Sequence, residues 1–329
     1  MKHITVGLFV PHKGCPHQCS FCNQKSISGQ VKCLTAADVH NAVLKAQENP
    51  NLKDAEIAFF GGSFTAIEKD YMLELLEAAN EHIDSEKFKG IRVSTRPDAI
   101  NDEICQTLLK YNVCAVELGA QSMDDEVLSL NQRGHTSAQV ESAVKMLKSY
   151  GFETGLQMMT GLYGSSRNES IETAEKIIAL RPDTVRIYPT VVLENTHLEK
   201  LFKDGEYTPQ SVEQAVDICA ELILMLYKNN IKVIRVGLHS GGDVESSFVA
   251  GAYHPAFKEK CDSRIYYNEI IDKLKDKRSE QYTVFVKKGD LSQAIGQKKE
   301  NLKKLAEKGY NVTVKESQDL KKYQVLVKE

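Results

Sequence analysis

Cys15, Cys19 and Cys22 stand in a C-x3-C-x2-C spacing within CPHQCSFC, directly after the strand-like run ITVGLFVP. Three thiolates on one loop reach three irons of a single cubane and leave the fourth iron open. A structural zinc site would need four protein ligands, usually in two separated pairs, and the chain has no second C-x2-C or H-x3-H pair. Iron-sulfur ligation by cysteine thiolate is the better fit. An open iron is of use only if something else binds to it.

A second stretch with chemical content is GGSFT at 61–65. Two adjacent glycines let backbone approach a ligand closely, although the same pair also suits a plain tight turn. Arg96 in STRPD and Arg133 in NQRGHT are candidates for the same region, with structural ion pairs at strand ends as the plain alternative for both. Further on, GAYHPAFKEKCDSRIYYNE at 251–269 gathers His254, Cys261, Arg264, Tyr266 and Tyr267. An inert buried thiol competes with a reactive one at Cys261.

The elements that position these residues alternate regularly. EIAFFGGSF, GIRVSTRP, CAVELGAQS, TGLQMMTGLYG and TVRIYPTVVL read as buried strands, each separated from the next by a helical pattern. In the first of those helices Thr35 is a cap and Val39, Val43 and Leu44 form the apolar face. With the first strand this makes six strand-helix alternations, the signature of parallel strands with helical crossovers. A longer helix from Ser211 and a strand-like IKVIRVGLH follow, then a surface loop around Gly241 and Gly242. The stretch 251–269 reads as turn chemistry and a buried thiol, with a lid over the barrel mouth as the alternative, His239 has the same two readings, and a helix from Ile270 to Lys277 is expected to lead out of the barrel. The expected division is a barrel over 1–240, a post-barrel segment over 241–282 with a charged linker near 275–282, and a small α+β domain over 283–329.

With Phe21 before its last cysteine, the cysteine motif resembles that of the radical S-adenosylmethionine (SAM) superfamily. The resemblance implies an α/β fold with a partial (β/α)6 TIM-type barrel. It also implies a [4Fe-4S] cluster on Cys15, Cys19 and Cys22 whose open iron takes the amino and carboxylate groups of SAM. Reductive cleavage then yields methionine and a 5'-deoxyadenosyl radical, chemistry that the protein positions and shields. On the same pattern Gly61, Gly62 and Ser63 lie by the SAM amino group, and Gln121 and Arg133 lie near SAM at the barrel mouth. STRPD, VELGAQS, NQRGHT, GFETGLQMMTGLYG and RIYPTVVLENTHLEKLFKDGEYTP are similar, in the same order, to stretches of the Elongator catalytic subunit over about residues 1–210. Ser94 replaces a glutamate usual there. The chain is expected to lack that subunit's acetyltransferase domain and basic N-terminal extension, so carboxymethylation of a wobble uridine is not simply inherited.

The C-terminal stretch, YTVFVKK to YQVLVKE, resembles a KH domain of the kind found in the transcription factor NusA, which implies nucleotide binding through a G-x-x-G loop. Gly296 supplies the first glycine, Lys299 stands at the second, and Lys298, Lys303 and Lys304 surround the loop as candidate RNA contacts. From 284 to 329 the chain has eleven lysines against six acidic residues, a balance of +5 in a chain of net charge −3. The alternative is a cap with a solvated lysine face.

The 329 residues, 42% apolar, hold one large core, or one large and one small. No apolar run approaches about 18 residues and the N-terminus lacks a signal-peptide pattern, so neither a membrane span nor secretion is expected. Scattered cysteines and a cubane both suit a reducing cytoplasm. The reading is a radical SAM enzyme acting on RNA, most simply tRNA, with an electron donor such as flavodoxin or ferredoxin. The alternatives are oxidation of a small molecule, as in HemN-like coproporphyrinogen oxidation, and a non-catalytic iron-sulfur RNA-binding protein.

Overall fold

Runs rich in Val, Ile and Phe alternate with helices that open on hydroxyl, amide or carboxylate caps, and the alternation builds one parallel sheet. The computed structural model describes residues 4–10, 15, 18–23, 33–83, 86–238, 243–275, 277 and 281–328. His239, Gly241, Gly242 and half of the expected linker lie outside the described residues. Strands β1 (Thr5–Val10), β2 (Ala55–Gly61), β3 (Phe88–Thr95), β4 (Val113–Gln121), β5 (Glu153–Thr160) and β6 (Thr184–Pro189) lie side by side in chain order. The short β7 (Val191–Leu193) leaves this sheet, and β8 (Lys232–Val236) joins it next to β6. All six ladders are parallel. Among the described residues no ladder joins β8 to β1, so the barrel is partial, with IKVIRV adding a seventh strand to the six alternations.

The crossovers are α1 (Ala36–Gln47), α2 (Lys69–Asn80), α3 (Asp102–Lys110), α5 (Ser137–Ser149), α6 (Arg167–Leu180) and α8 (Val212–Lys228), with the shorter α4 (Asp125–Leu130) and α7 (His197–Lys203) in loops after β4 and β7. Thr35 with Asp38, Thr136 with Gln139 and Ser211 with Gln214 form reciprocal capping boxes that start α1, α5 and α8. Val39 and Val43 are buried as expected, whereas Leu44 is 54% exposed. One residue turns a helix by about 100°, enough to carry Leu44 off the face that Val43 closes.

Alternate strand residues face opposite ways. Ile57, Phe59, Val93, Val116, Leu118, Leu156 and Ile187 point outward and are sealed under the helices. The opposite, concave face carries charge. There Arg92 donates from Nε and Nη2 to both oxygens of Glu56 (2.7 and 3.1 Å), from Nη1 to Glu117 (3.3 Å) and from Nη2 to Glu153 (2.6 Å). Lys89 adds a contact to Glu56 at 2.9 Å. Arg186 donates from Nη2 to Glu117 at 2.8 Å and lies 5.4 Å over the Phe60 ring. Its Nε sits 2.6 Å from the other Glu117 oxygen as a charge contact, without the alignment of a hydrogen bond. Gly155 makes room for this floor: a Cβ there would come 2.8 Å from Thr184 Oγ1 and 3.0 Å from Glu117 Cγ.

Past β8 come a short helix, α9 (Asp243–Ser246), and β9 (Phe248–Gly251), which pairs antiparallel with β7. Most of the stretch 251–269 lies in α10 (Phe257–Leu274), which starts well before Ile270 and packs along α8. Phe257, Cys261, Ile265, Tyr266, Ile270 and Leu274 recur at helical spacing and are buried, so apolar periodicity outweighs the reactive residue types between them.

The C-terminal unit runs β10 (Gln281–Lys287), α11 (Leu291–Ile295), a single 3-10 turn over Gln297–Lys299, α12 (Glu300–Glu307), β11 (Asn311–Ser317) and β12 (Leu326–Lys328). Its sheet has the order β11-β10-β12, parallel then antiparallel. It is bolted to α10. Tyr266 OH donates to Asp290 (2.6 Å) and accepts from the Tyr323 N–H (3.0 Å), while Tyr323 OH donates to Asp262 (2.6 Å). Asn301 Nδ2 donates to the carbonyls of Ser263 and Ala294, each at 3.0 Å. Among the described residues no helix is long and apolar enough to cross a membrane.

Candidate functional site

The cysteine loop follows β1 at the carboxyl end of the parallel sheet, where open and closed α/β barrels place their chemistry. Cys19 is buried and Cys15 and Cys22 are half-buried. The Cys22 N–H closes a turn on the Cys19 carbonyl at 3.1 Å. Asn131, fully buried, holds the loop down: its carbonyl accepts from Ser20 N (3.1 Å) and its Oδ1 from Ser20 Oγ (2.8 Å). Its own amide donates to the carbonyls of Val127 and Tyr163, both at 2.8 Å. Leu198 N, in the first turn of α7, donates to the Ser20 carbonyl at 2.7 Å. Phe21 packs on a small cluster of Val192, Leu198, Leu201 and Tyr207, which gives the aromatic before the last cysteine a mechanical role. Sequence reasoning missed Asn131, although it opens the NQRGHT motif.

Arg133 and Gln121 do come together at the mouth. Arg133, 7% exposed, donates from Nη1 to Cys19 Sγ at 3.1 Å and from Nη2 to the Gly119 carbonyl at 2.7 Å, and its Nε has no partner. Its partners within the chain are thus a sulfur and a carbonyl, so it forms no structural ion pair among the described residues. Gly119 permits this approach, because a Cβ there would stand 2.8 Å from Gln121 Nε2 and 3.3 Å from Arg133 Nη2. Gln121 ends β4 at φ +68 and accepts from Gln157 Nε2 at 3.1 Å. Gln157, absent from the sequence candidates, is marked only by its place in β5 on the concave face.

Charges gather around the thiols. Burial and the neighbouring Cys19 push the Cys15 thiol up, against the opposing pull of Arg96 and Arg133. Arg96 is a structural pair: Nε and Nη2 donate to the two Asp98 oxygens at 2.9 and 2.5 Å. Burial alone would raise Asp98, but the Arg96 guanidinium outweighs it and holds the carboxyl below its ordinary value. His135, 5% exposed, donates from Nε2 to the Ala120 carbonyl at 3.2 Å and is held neutral. Burial and then Arg133 push it down to about 4.

Gly61 closes β2 at φ +120, and a Cβ there would lie 2.2 Å from the Val10 carbonyl, so glycine lets β2 end tight against the strand that leads to the cysteines. Gly62 is half-buried beside it. Ser63 is 1% exposed, with its hydroxyl 2.8 Å from Thr95 Oγ1.

The other candidates separate. His254 Nδ1 accepts from Ala256 N at 3.0 Å, which is turn chemistry, and Arg264 is spent on Glu213 and Asp217. Cys261 is fully buried among core residues. At the far end Gly296 is buried at φ +78, and Lys298, Lys299 and Lys303 are exposed with no ion pair among the described residues. Lys304 is tied to Glu300 at 2.5 Å.

Among the described residues no three His, Cys, Asp or Glu side chains are gathered to hold a single metal ion. Thiolates that each bind their own iron stand farther apart than ligands sharing one ion. Three cysteines on a pinned loop, with a guanidinium donating to one sulfur, therefore suit a cubane better than a mononuclear site. A partial parallel barrel that presents such a loop at the carboxyl ends of its strands defines an iron-sulfur enzyme of the half-barrel kind.

The chain belongs to the radical SAM superfamily, whose family model matches residues 9–177, and a radical SAM C-terminal domain model matches residues 182–267. Enzymes of this family use a [4Fe-4S] cluster and SAM. The chain is 31% identical over 183 residues to the tRNA uridine(34) acetyltransferase of Methanocaldococcus infernus, covering 50% of this chain and 34% of that protein. It is 27% identical over 191 residues to human Elongator complex protein 3, covering 52% and 35%. Its structure is similar to that of the archaeal Methanocaldococcus infernus Elp3 with an N-terminal deletion, with TM-score 0.64, 22% identity, and 84% and 64% coverage. The chain thus spans about a third of the length of these two curated relatives.

Proposed function

We propose that this radical SAM enzyme modifies RNA, with transfer RNA as its substrate. The observation that carries the reading is the extent of the likeness: half of the chain aligns with a protein described as a tRNA uridine(34) acetyltransferase. The exposed lysines at the loop after α11 support it, since phosphate contacts dominate nucleic-acid affinity.

Held by the loop cysteines, a [4Fe-4S] cluster would supply the electron-transfer chemistry for reductive cleavage of SAM. Cys15, Cys19 and Cys22 hold the cluster, and Arg133 donates a charge-assisted hydrogen bond to the Cys19 sulfur. The backbone of Gly61 and Gly62 cradles SAM, and Gln121, braced by Gln157, orients polar groups at the mouth. The floor of Arg92, Glu56, Glu117 and Arg186 fills the barrel below the mouth with paired charge and excludes water from it. Lys298, Lys299 and Lys303 hold RNA phosphates. The electron comes from a small redox protein such as a flavodoxin or ferredoxin.

The test is anaerobic: reconstituted enzyme, dithionite and SAM, with 5'-deoxyadenosine quantified with and without bulk tRNA. Removing the C-terminal unit would strip the buried face of α10, so the informative variant is the triple charge reversal of Lys298, Lys299 and Lys303 to Glu. Stimulation by tRNA that this variant loses supports the reading. SAM cleavage indifferent to RNA overturns it in favour of a small-molecule substrate. Cys19→Ala protein is expected to lack both the cluster absorbance and SAM cleavage.

A further inference from the structure

Three buried hydroxyls join the loop after β2 to the loop after β3, and their proton order is forced. Thr65 Oγ1 lies 2.8 Å from the Ala99 carbonyl, which only accepts, so the Thr65 proton is spent there. The 2.6 Å contact between Thr65 Oγ1 and Thr95 Oγ1 must then use the Thr95 proton. The 2.8 Å contact between Thr95 Oγ1 and Ser63 Oγ must in turn use the Ser63 proton. The Arg96 N–H donates to Ser63 Oγ at 3.2 Å, and the Thr65 N–H reaches Thr95 Oγ1 at 3.4 Å. The relay therefore runs one way, from the Arg96 N–H through Ser63, Thr95 and Thr65 to the Ala99 carbonyl. Ser63, Thr95 and Thr65 are 1%, 4% and 8% exposed, so these bonds are shielded from bulk solvent.

Thr95 is the junction. Its oxygen accepts from Ser63 and from the Thr65 backbone and donates to the Thr65 side chain, so one hydroxyl binds the first and third residues after the glycine pair. Ser63 has no proton left for a ligand and serves instead to tie Gly61 and Gly62 to the Arg96 backbone. We propose that Thr95 is a positioning residue for SAM: through Ser63 and Thr65 it fixes the glycine pair in the conformation that receives the cofactor. The inference rests on Gly61 and Gly62 being the cradle.

The test measures SAM binding by equilibrium dialysis on reconstituted enzyme without reductant, so that no turnover occurs. Cluster absorbance and thermal unfolding are followed in parallel. Thr95→Val keeps the shape and removes the hydroxyl, and it is expected to raise the SAM Kd by about tenfold with the cluster retained, the scale set by leaving buried partners unpaired. Thr95→Ser is expected to restore binding. Ser63→Ala cuts the relay one link away, and the double variant with Thr95→Val is expected to bind no more weakly than the worse single variant. Should Thr95→Val fail to fold, Ser63→Ala carries the test alone. A lowered unfolding temperature with wild-type SAM affinity in the folded variants makes the relay merely structural and overturns the proposal. Gly62→Ala tests the cradle itself: unchanged SAM affinity there removes the premise, whereas weakened binding there beside unchanged binding in Thr95→Val and Ser63→Ala sinks the relay alone.

Discussion

Burial and the Arg133 guanidinium push the His135 imidazole down to about 4, and the sign of the consequence follows. The unfolded chain takes up this proton near the ordinary value of about 6.5, before the folded chain does, so the stability is whole above about 6.5 and is lost as pH falls towards about 4. The difference amounts to ~3 kcal/mol in total. His135→Gln is expected to flatten that stretch of the pH-stability curve relative to wild type, measured by denaturant unfolding at a series of pH values; parallel curves would exclude the role. Lys298 and Lys299 pose a different question, because both hold left-handed backbone, at φ +50 and +62. The loop keeps at Lys299 the backbone conformation that a second glycine would adopt, and a side chain there costs about 1 kcal/mol. Lys299→Gly is expected to raise stability by about 0.5–1 kcal/mol. If RNA phosphates dock on this loop, the same change weakens RNA binding and lowers its salt slope by about one. Melting and salt-dependent binding thus move in opposite directions, and an unchanged salt slope would count against phosphate contact.

Strands place charges as firmly as they place apolar side chains. In GIRVST the residues Ile91 and Val93 go to the helices, so Arg92 must enter the barrel, and alternation shows that much from the sequence. What Arg92 meets there depends on the order β2-β3-β4-β5, which delivers Glu56, Glu117 and Glu153 to one guanidinium. Arg92→Met is expected to cost about 3–5 kcal/mol in urea unfolding, because buried carboxylates lose their principal partner. Glu153→Gln, at a side chain 31% exposed, is expected to cost about 1 kcal/mol or less. Equal losses from the two would mean that the floor is not an ion network. Helix α10 shows the converse limit of reading by residue type. Cys261, Arg264, Tyr266 and Tyr267, with His254 just before the helix, are reactive residue types, yet turn, core and ion-pair duties account for His254, Cys261, Arg264 and Tyr266.

At the scale of the molecule, barrel and C-terminal unit share one hydrophobic core, stitched by the Tyr266, Asp290, Tyr323 and Asp262 contacts. Tyr266→Phe leaves Asp290 and the Tyr323 N–H without their partner, and a loss of about 1–3 kcal/mol is expected. Limited proteolysis between α10 and β10 should quicken with it; cleavage at the wild-type rate would mean that the apolar contacts alone hold the unit. The cysteine spacing, the strand-helix alternation and the basic C-terminal stretch were legible in the sequence, because each is a local pattern set by residues within a few positions of one another. Even the crossovers follow locally, since a parallel pair needs a long connection and the helices between strands supply it. Only the tertiary structure decided that Arg133 would donate to a sulfur 114 residues away, that Asn131 would hold down the loop at Ser20, and that Ser63 would turn to Thr95. Such partners are chosen by strand order and by which buried polar groups must be satisfied together, and that accounting exists only once the chain has closed on itself.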